Sequence, residues 1–122
     1  MTHSIEIRPI TKKDNQTTAE MIRYVLTEQN APKTGTAYED KALDNLYETY
    51  NKERAEYFVL LDKNIIKGGA GIQVLDTDPH VCELQKMYFL EEARGQGYGD
   101  LMMQKCLAFE SYYFSAHKFQ SA

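Results

Sequence analysis

Three alternate glycines in Arg94-Gly95-Gln96-Gly97-Tyr98-Gly99 sit between an apolar stretch, Leu84-Gln85-Lys86-Met87-Tyr88-Phe89, and a segment with helical spacing. No other part of the chain restricts the fold as much. The apolar stretch reads as a strand and the segment after the glycines as a helix, so the turn between them must be tight. Glycine reaches left-handed backbone conformations without steric cost and lets another group approach the backbone closely. The opening amides of a helix have no internal partner and lie at the positive end of its dipole. A strand, a glycine turn and a helix N-terminus together make an anion site, usually for phosphate. An arginine and three glycines in six residues exceed what a plain strand-to-helix turn requires.

The 122 residues make one domain, 1–122, long enough to bury a core. The net charge of −4 and pI near 5.3 leave no basic face for nonspecific nucleic-acid binding, so no nucleic-acid partner is expected. The same charge opposes a phosphorylated ligand, so the loop's amides and Arg94 must act locally against the global field. No apolar run approaches a membrane span, and the start lacks a basic-then-apolar leader, so no membrane association is expected. Cys82 and Cys106 are too few for a metal or disulfide framework; they read as buried hydrophobes in a reducing cytoplasm.

Hydrophobic spacing predicts a strand over 4–10, a helix over 13–30 begun at Thr11 and Asp14, and a break at Asn30–Gly35. A second helix is predicted over 40–53, with Leu43, Leu46, Tyr47 and Tyr50 on one face. Strands follow at 57–61, 65–75 and 81–90, then a helix at 98–112. Gly68 and Gly69 interrupt the middle strand, which marks a bulge or a close backbone approach. The order is βααβββα, an α+β fold with a mixed, mostly antiparallel sheet flanked by helices and room for a short further strand.

Three glycine-loop readings compete. A Walker loop needs G-x-x-x-x-G-K-[ST], which is absent. A dinucleotide fingerprint needs G-x-G-x-x-G and an acidic residue about 20 positions later; Phe119 stands there instead. The third pattern, R/Q-x-x-G-x-G/A, fits Arg94, Gly97 and Gly99 without adjustment. It is the pyrophosphate loop of the GNAT N-acetyltransferases, and the chain resembles that family. Ile5-Glu6-Ile7-Arg8-Pro9-Ile10 is similar to the family's first strand and Gly68-Gly69-Ala70-Gly71-Ile72 to its third. Glu83 through Leu107 resembles its fourth strand and third helix, so the likeness spans residues 4–110.

The resemblance implies an acetyl-CoA cosubstrate, no metal, and direct acetyl transfer to a primary amine. Arg94, Gly95, Gln96, Gly97, Tyr98, Gly99 and Asp100 would hold the pyrophosphate. Met87, Tyr88 and Phe89 match the bulge in the family's fourth strand, where a freed backbone donor faces the thioester carbonyl. Glu83, four residues before Met87, matches the general base of the histone-acetyltransferase branch. Tyr38, Glu39, Asp40 and Tyr47 would line the acceptor side, where carboxylates and aromatic rings suit an ammonium. Plainer readings stand beside these: Met87 and Phe89 as core residues, Glu83 as a solvated carboxylate, His80 as a surface histidine. Asp100 is expected to turn its side chain away and offer its amide.

The family continues past the helix with further strands and a helix that bears its usual acid, so this chain reads as a C-terminally shortened member. Its aromatic tail, Tyr112 to Phe119, is expected to form a strand whose open edge recruits a second copy into a homodimer. Two other functions remain open: a domain that binds CoA or a protein partner with little turnover, and an α/β interaction module without a cofactor.

Overall fold

A computed structural model describes residues 4–30, 40–113 and 118–121. In chain order these are β1 (Ile5–Pro9), α1 (Asn15–Glu28), α2 (Leu46–Tyr50), β2 (Ala55–Asp62), β3 (Ile65–Val74), β4 (Val81–Phe89), α3 (Tyr98–Tyr113) and β5 (Lys118–Ser121). They build one five-stranded sheet in the order β1-β2-β3-β4-β5. The first four strands run antiparallel to their neighbours, and β5 lies parallel to β4. The α+β, mostly antiparallel fold is the one expected. No helix among the described residues is long and apolar enough to cross a membrane.

Two elements differ from expectation. The helix expected over 40–53 is a 3-10 turn, Lys41–Asn45, followed by the short α2. Asn45 leaves helical geometry between them, at φ −133° and ψ 45°, although Leu43, Leu46 and Tyr50 are all buried as their spacing implied. The tail strand is Lys118–Ser121; Tyr112 and Tyr113 instead complete the last turn of α3.

The sheet is covered on both sides, which is why β2 reads as an unbroken apolar run. Tyr57, Val59 and Leu61 pack with Ile22, Val25, Leu43 and Leu46 beneath α1 and α2. Phe58 and Leu60 pack with Ala70, Ile72, Leu84, Met102 and Cys106 beneath α3. The interruption in β3 contains both features its glycines allow. Lys67 is an extra residue between Ile66 and Gly68, which face the adjacent Leu61 and Leu60 of β2. The glycines themselves admit rings. A Cβ on Gly68 would lie 2.2 Å from the Phe89 ring, on Gly69 2.7 Å from Tyr57, and on Gly71 2.6 Å from Tyr50.

A 3-10 turn, Lys12–Asp14, leads into α1 and opens on a capping box. The Thr11 amide and hydroxyl donate to Asp14 Oδ2 at 2.7 and 3.0 Å, and Arg8 Nη1 donates to the same oxygen at 2.8 Å. Burial disfavours the Asp14 carboxylate, but the Arg8 guanidinium and the Thr11 donors outweigh it and hold the carboxyl below its ordinary value of 3.8. A depressed carboxyl stabilises the fold fully above its unfolded value and loses that contribution as pH falls through the folded one. Asp14→Ala should therefore cost about 1–2 kcal/mol at pH 7 in urea unfolding. The gap between variant and wild type should close as pH falls below 3.8; a gap constant into that range would contradict the assignment.

Candidate active site

The site is built around a fault in β4. Gly71 pairs with Gln85 and Gly69 with Tyr88, so β4 carries one residue more than β3 across that span. The extra residue leaves Lys86 at φ +49°, a left-handed conformation that costs a non-glycine residue about 1–2 kcal/mol. Across the fault the strand changes face. Cys82 and Leu84 pack toward α3 before it and Met87 and Phe89 after it, while Tyr88 joins Tyr50 and Tyr57 under α1. Met87 and Phe89 are thus half-buried core side chains, as the plainer reading had them, on a strand whose backbone is irregular.

Two buried tyrosines reach β4 from beneath β3, through the space its glycines leave. Tyr57 Oη donates to the Lys86 carbonyl at 2.9 Å, and Tyr50 Oη donates to Gln85 Oε1 at 2.6 Å. Their rings lie 5.5 Å apart. Burial raises both phenols, and the Glu83 and Asp40 carboxylates raise Tyr50 further, so each hydroxyl stays a neutral donor at working pH.

Gln85 is the hub of a side-chain network. Its Oε1 also accepts from Gln73 Nε2 at 2.7 Å, and its Nε2 donates to Glu83 Oε1 at 2.6 Å. Glu83 is therefore an oriented carboxylate on the α1 side of the sheet. It opens into a cleft of about 520 Å³ lined by Asp40, Tyr50, Gln73, Gln85, Lys86 and Tyr88, among others. Asp40 accepts from the Ala42 amide at 2.9 Å and pairs with Lys86 Nζ at 3.5 Å. Of the expected acceptor residues, Asp40 lines this cleft and Tyr47 does not; Tyr38 and Glu39 lie outside the described residues. His80 is exposed in the turn before β4 and is not part of the cleft.

The glycine loop follows β4. Gly95 and Gly97 have φ +73° and +81°, and a Cβ on either would meet nothing within 4 Å. Backbone conformation, not crowding, selects glycine there, and the space beside both is open. Gly99 is different: a Cβ there would meet the Met87 methyl at 3.7 Å, ordinary van der Waals distance, so the space beside it is filled rather than open. The first helical bond in the region is Leu101 N–H to the Gly97 carbonyl at 3.2 Å, so the amides of Tyr98, Gly99 and Asp100 precede the helical ladder. Gln96 Nε2 closes the loop on the Glu92 carbonyl at 2.7 Å. Arg94 is used structurally: Nε donates to the Phe89 carbonyl at 2.9 Å and Nη2 pairs with Glu28 of α1 at 2.8 Å. The electrostatic pull on an anion at this loop thus comes chiefly from backbone amides and the α3 dipole. Asp100 is exposed in the first turn of α3.

One flank of β4 is open. β5 pairs with it only over Val81–Leu84, so Gln85–Phe89 meet no strand on that side among the described residues. Among the same residues, no group of three or more His, Cys, Asp or Glu is placed to hold a metal ion.

The sequence reading located the loop, the bulge region and Glu83, but not Tyr50, Tyr57, Gln85 or the fault at Lys86. A signal for the last was present. Apolar residues fall at 82, 84, 87 and 89, and the three-residue step in an alternating strand marks an inserted residue.

A sequence profile described as Acetyltransferase (GNAT) family matches residues 20–115. The chain is 38% identical over 93 residues to a curated Escherichia coli (strain K12) protein, "Uncharacterized N-acetyltransferase YjgM", covering 75% of this chain and 56% of that protein. It therefore spans little more than half the length of that relative. An acetyltransferase of GNAT family from Staphylococcus aureus Mu50 superposes with a TM-score of 0.78 at 18% identity, covering 89% of this chain and 67% of the other. A predicted acetyltransferase from Clostridium acetobutylicum, solved with acetyl-CoA, gives 0.74 at 16% identity, covering 97% and 80%. These two likenesses establish the fold.

Proposed function

Given that this chain belongs to the acetyltransferase (GNAT) family, we propose that it binds acetyl-CoA along the open flank of β4 and transfers the acetyl group directly to a primary amine. One observation carries the reading: the Glu83 cleft and the bulge follow one another along β4, and the glycine loop comes after that strand's end. The residues suit the cosubstrate. The space beside Gly95 and Gly97 lets a pyrophosphate lie against the amides of Gly95 to Asp100. The stretch of Met87, Tyr88 and Phe89, which meets no strand on its β5 side among the described residues, offers strand-like hydrogen bonds to the pantetheine arm.

Acetyl-CoA supplies the activated acyl group. The chain's part is to place an amine, remove its proton and polarise the carbonyl. Asp40, Glu83 and the rings of Tyr50 and Tyr88 favour a cationic acceptor in the cleft. Glu83, held by Gln85, takes the proton, directly or through water, and a bulge amide donates to the carbonyl oxygen; as the C–N bond forms the thioester C–S bond breaks, and CoA leaves as a thiolate that takes a proton from solvent. The whole acts as one acetyl-CoA-binding unit. Cys82 and Cys106 are buried and form no disulfide among the described residues, which supports a reducing, cytoplasmic setting; burial and then Glu110 push Cys82 to about 12, and burial does the same for Cys106. The outer side of β5 has no partner strand among the described residues and suits pairing with a second copy.

Calorimetry with acetyl-CoA, followed by turnover against a panel of primary amines, tests this. Micromolar binding with acetylation of at least one amine is the expected result. Binding without turnover would leave the CoA-binding alternative, and no binding would defeat both. Light scattering on the same samples reads the homodimer, and a monomer at micromolar concentration would refute it.

A further inference from the structure

We propose that Tyr57 is a positioning residue for recognition of the acetyl group, a role that rests on the acetyl-CoA reading above. Its hydroxyl holds the Lys86–Met87 peptide in the one orientation that turns the Met87 amide away from the α1 layer.

Lys86 is a left-handed residue without the freedom of glycine, so its conformation needs an external support. The described support is the Tyr57 hydroxyl, 2.9 Å from the Lys86 carbonyl oxygen and fully buried in the layer under α1. The chain has no cis peptide among the described residues, so the Lys86 C=O and the Met87 N–H point in opposite directions. With the carbonyl drawn toward Tyr57 and the α1 layer, the Met87 amide points away from that layer. The worth of one buried hydrogen bond is comparable to the strain of one left-handed residue. A single hydroxyl is therefore enough to decide the peptide's orientation. Gly69 is part of the same device, because any Cβ there would lie 2.7 Å from the Tyr57 ring.

Tyr57→Phe in the full chain removes the hydroxyl and keeps the packing. Two readouts are needed. In the ligand-free protein, the three-bond HN–Hα coupling of Lys86 reports its φ and should move from the left-handed to the extended value. In calorimetry, acetyl-CoA and CoA are titrated separately. CoA affinity should stay within about twofold, while the advantage of acetyl-CoA over CoA falls by about fivefold, the loss of one oriented donor. A residue that only stabilises the fold would lower the melting temperature and leave that ratio alone. A folded variant that keeps Lys86 left-handed overturns the proposal, as does one that changes φ but keeps the ratio. Wild-type protein that binds neither ligand would refute the acetyl-CoA reading and the recognition role with it, while the coupling would still show whether Tyr57 sets the bulge.

Discussion

Gly97→Asp should lose at least tenfold in acetyl-CoA affinity, about 1.4 kcal/mol, measured by calorimetry on a folded variant. Two effects combine. Gly97 sits at φ +81°, where any side chain is strained, so the loop pays about 1 kcal/mol or relaxes out of its present shape. The new carboxylate would also stand at the N-terminus of α3. The helix itself tolerates a negative charge there, so the fold should survive. The charge instead competes with the ligand's phosphates for the same amides. Because a Cβ at this position meets nothing within 4 Å, collision inside the protein does not explain a loss. Gly97→Ala separates the parts, since it keeps the strain and omits the charge. Unchanged affinity in folded Gly97→Asp would end the assignment of this loop to the pyrophosphate.

Glu83→Gln should reduce turnover by ~10²–10⁴-fold, the usual consequence of losing an acid–base group. The substitution keeps the shape, and its side-chain oxygen can still accept from Gln85 Nε2, a bond of 2.6 Å in the parent. Acetyl-CoA affinity should barely change, because Glu83 lies in the cleft rather than on the glycine loop. A loss confined to kcat would support a base. Wild-type kinetics would reduce Glu83 to a structural member of the Gln73–Gln85 network.

Element order was legible because each strand and helix has its own period. The α3 face was plain from Met102 and Cys106, and β2 from its unbroken apolar run. Spacing could not separate a long second helix from a 3-10 turn plus one turn of α-helix. Leu43, Leu46 and Tyr50 reach the core either way, and the break is set by the backbone of Asn45. Of the site, the local parts were readable: the glycine turn, the neighbourhood of the bulge, and a carboxylate at a fixed offset from it. The straps from Tyr50 and Tyr57 were not, since they join residues 35 and 29 positions apart across a strand emptied by glycine. Arg94 carried a cationic signal in the sequence, but the fold commits it to Glu28 and Phe89.

The face change in β4, like the one at Lys67 in β3, decides what a change in the number of residues would do. Deleting a residue inside a regular strand turns every later side chain to the opposite face. In β4 the stretch with Glu83 and Gln85 and the stretch with Met87 and Phe89 are held in opposite phase by one intervening position. A chain lacking Lys86 would regain an even ladder with β3 while both stretches kept the layers they face now, so the core would stand and only the turned peptide at the bulge would be lost. The extra residue is thus one the packing does not require, and its presence serves the backbone of the cleft alone.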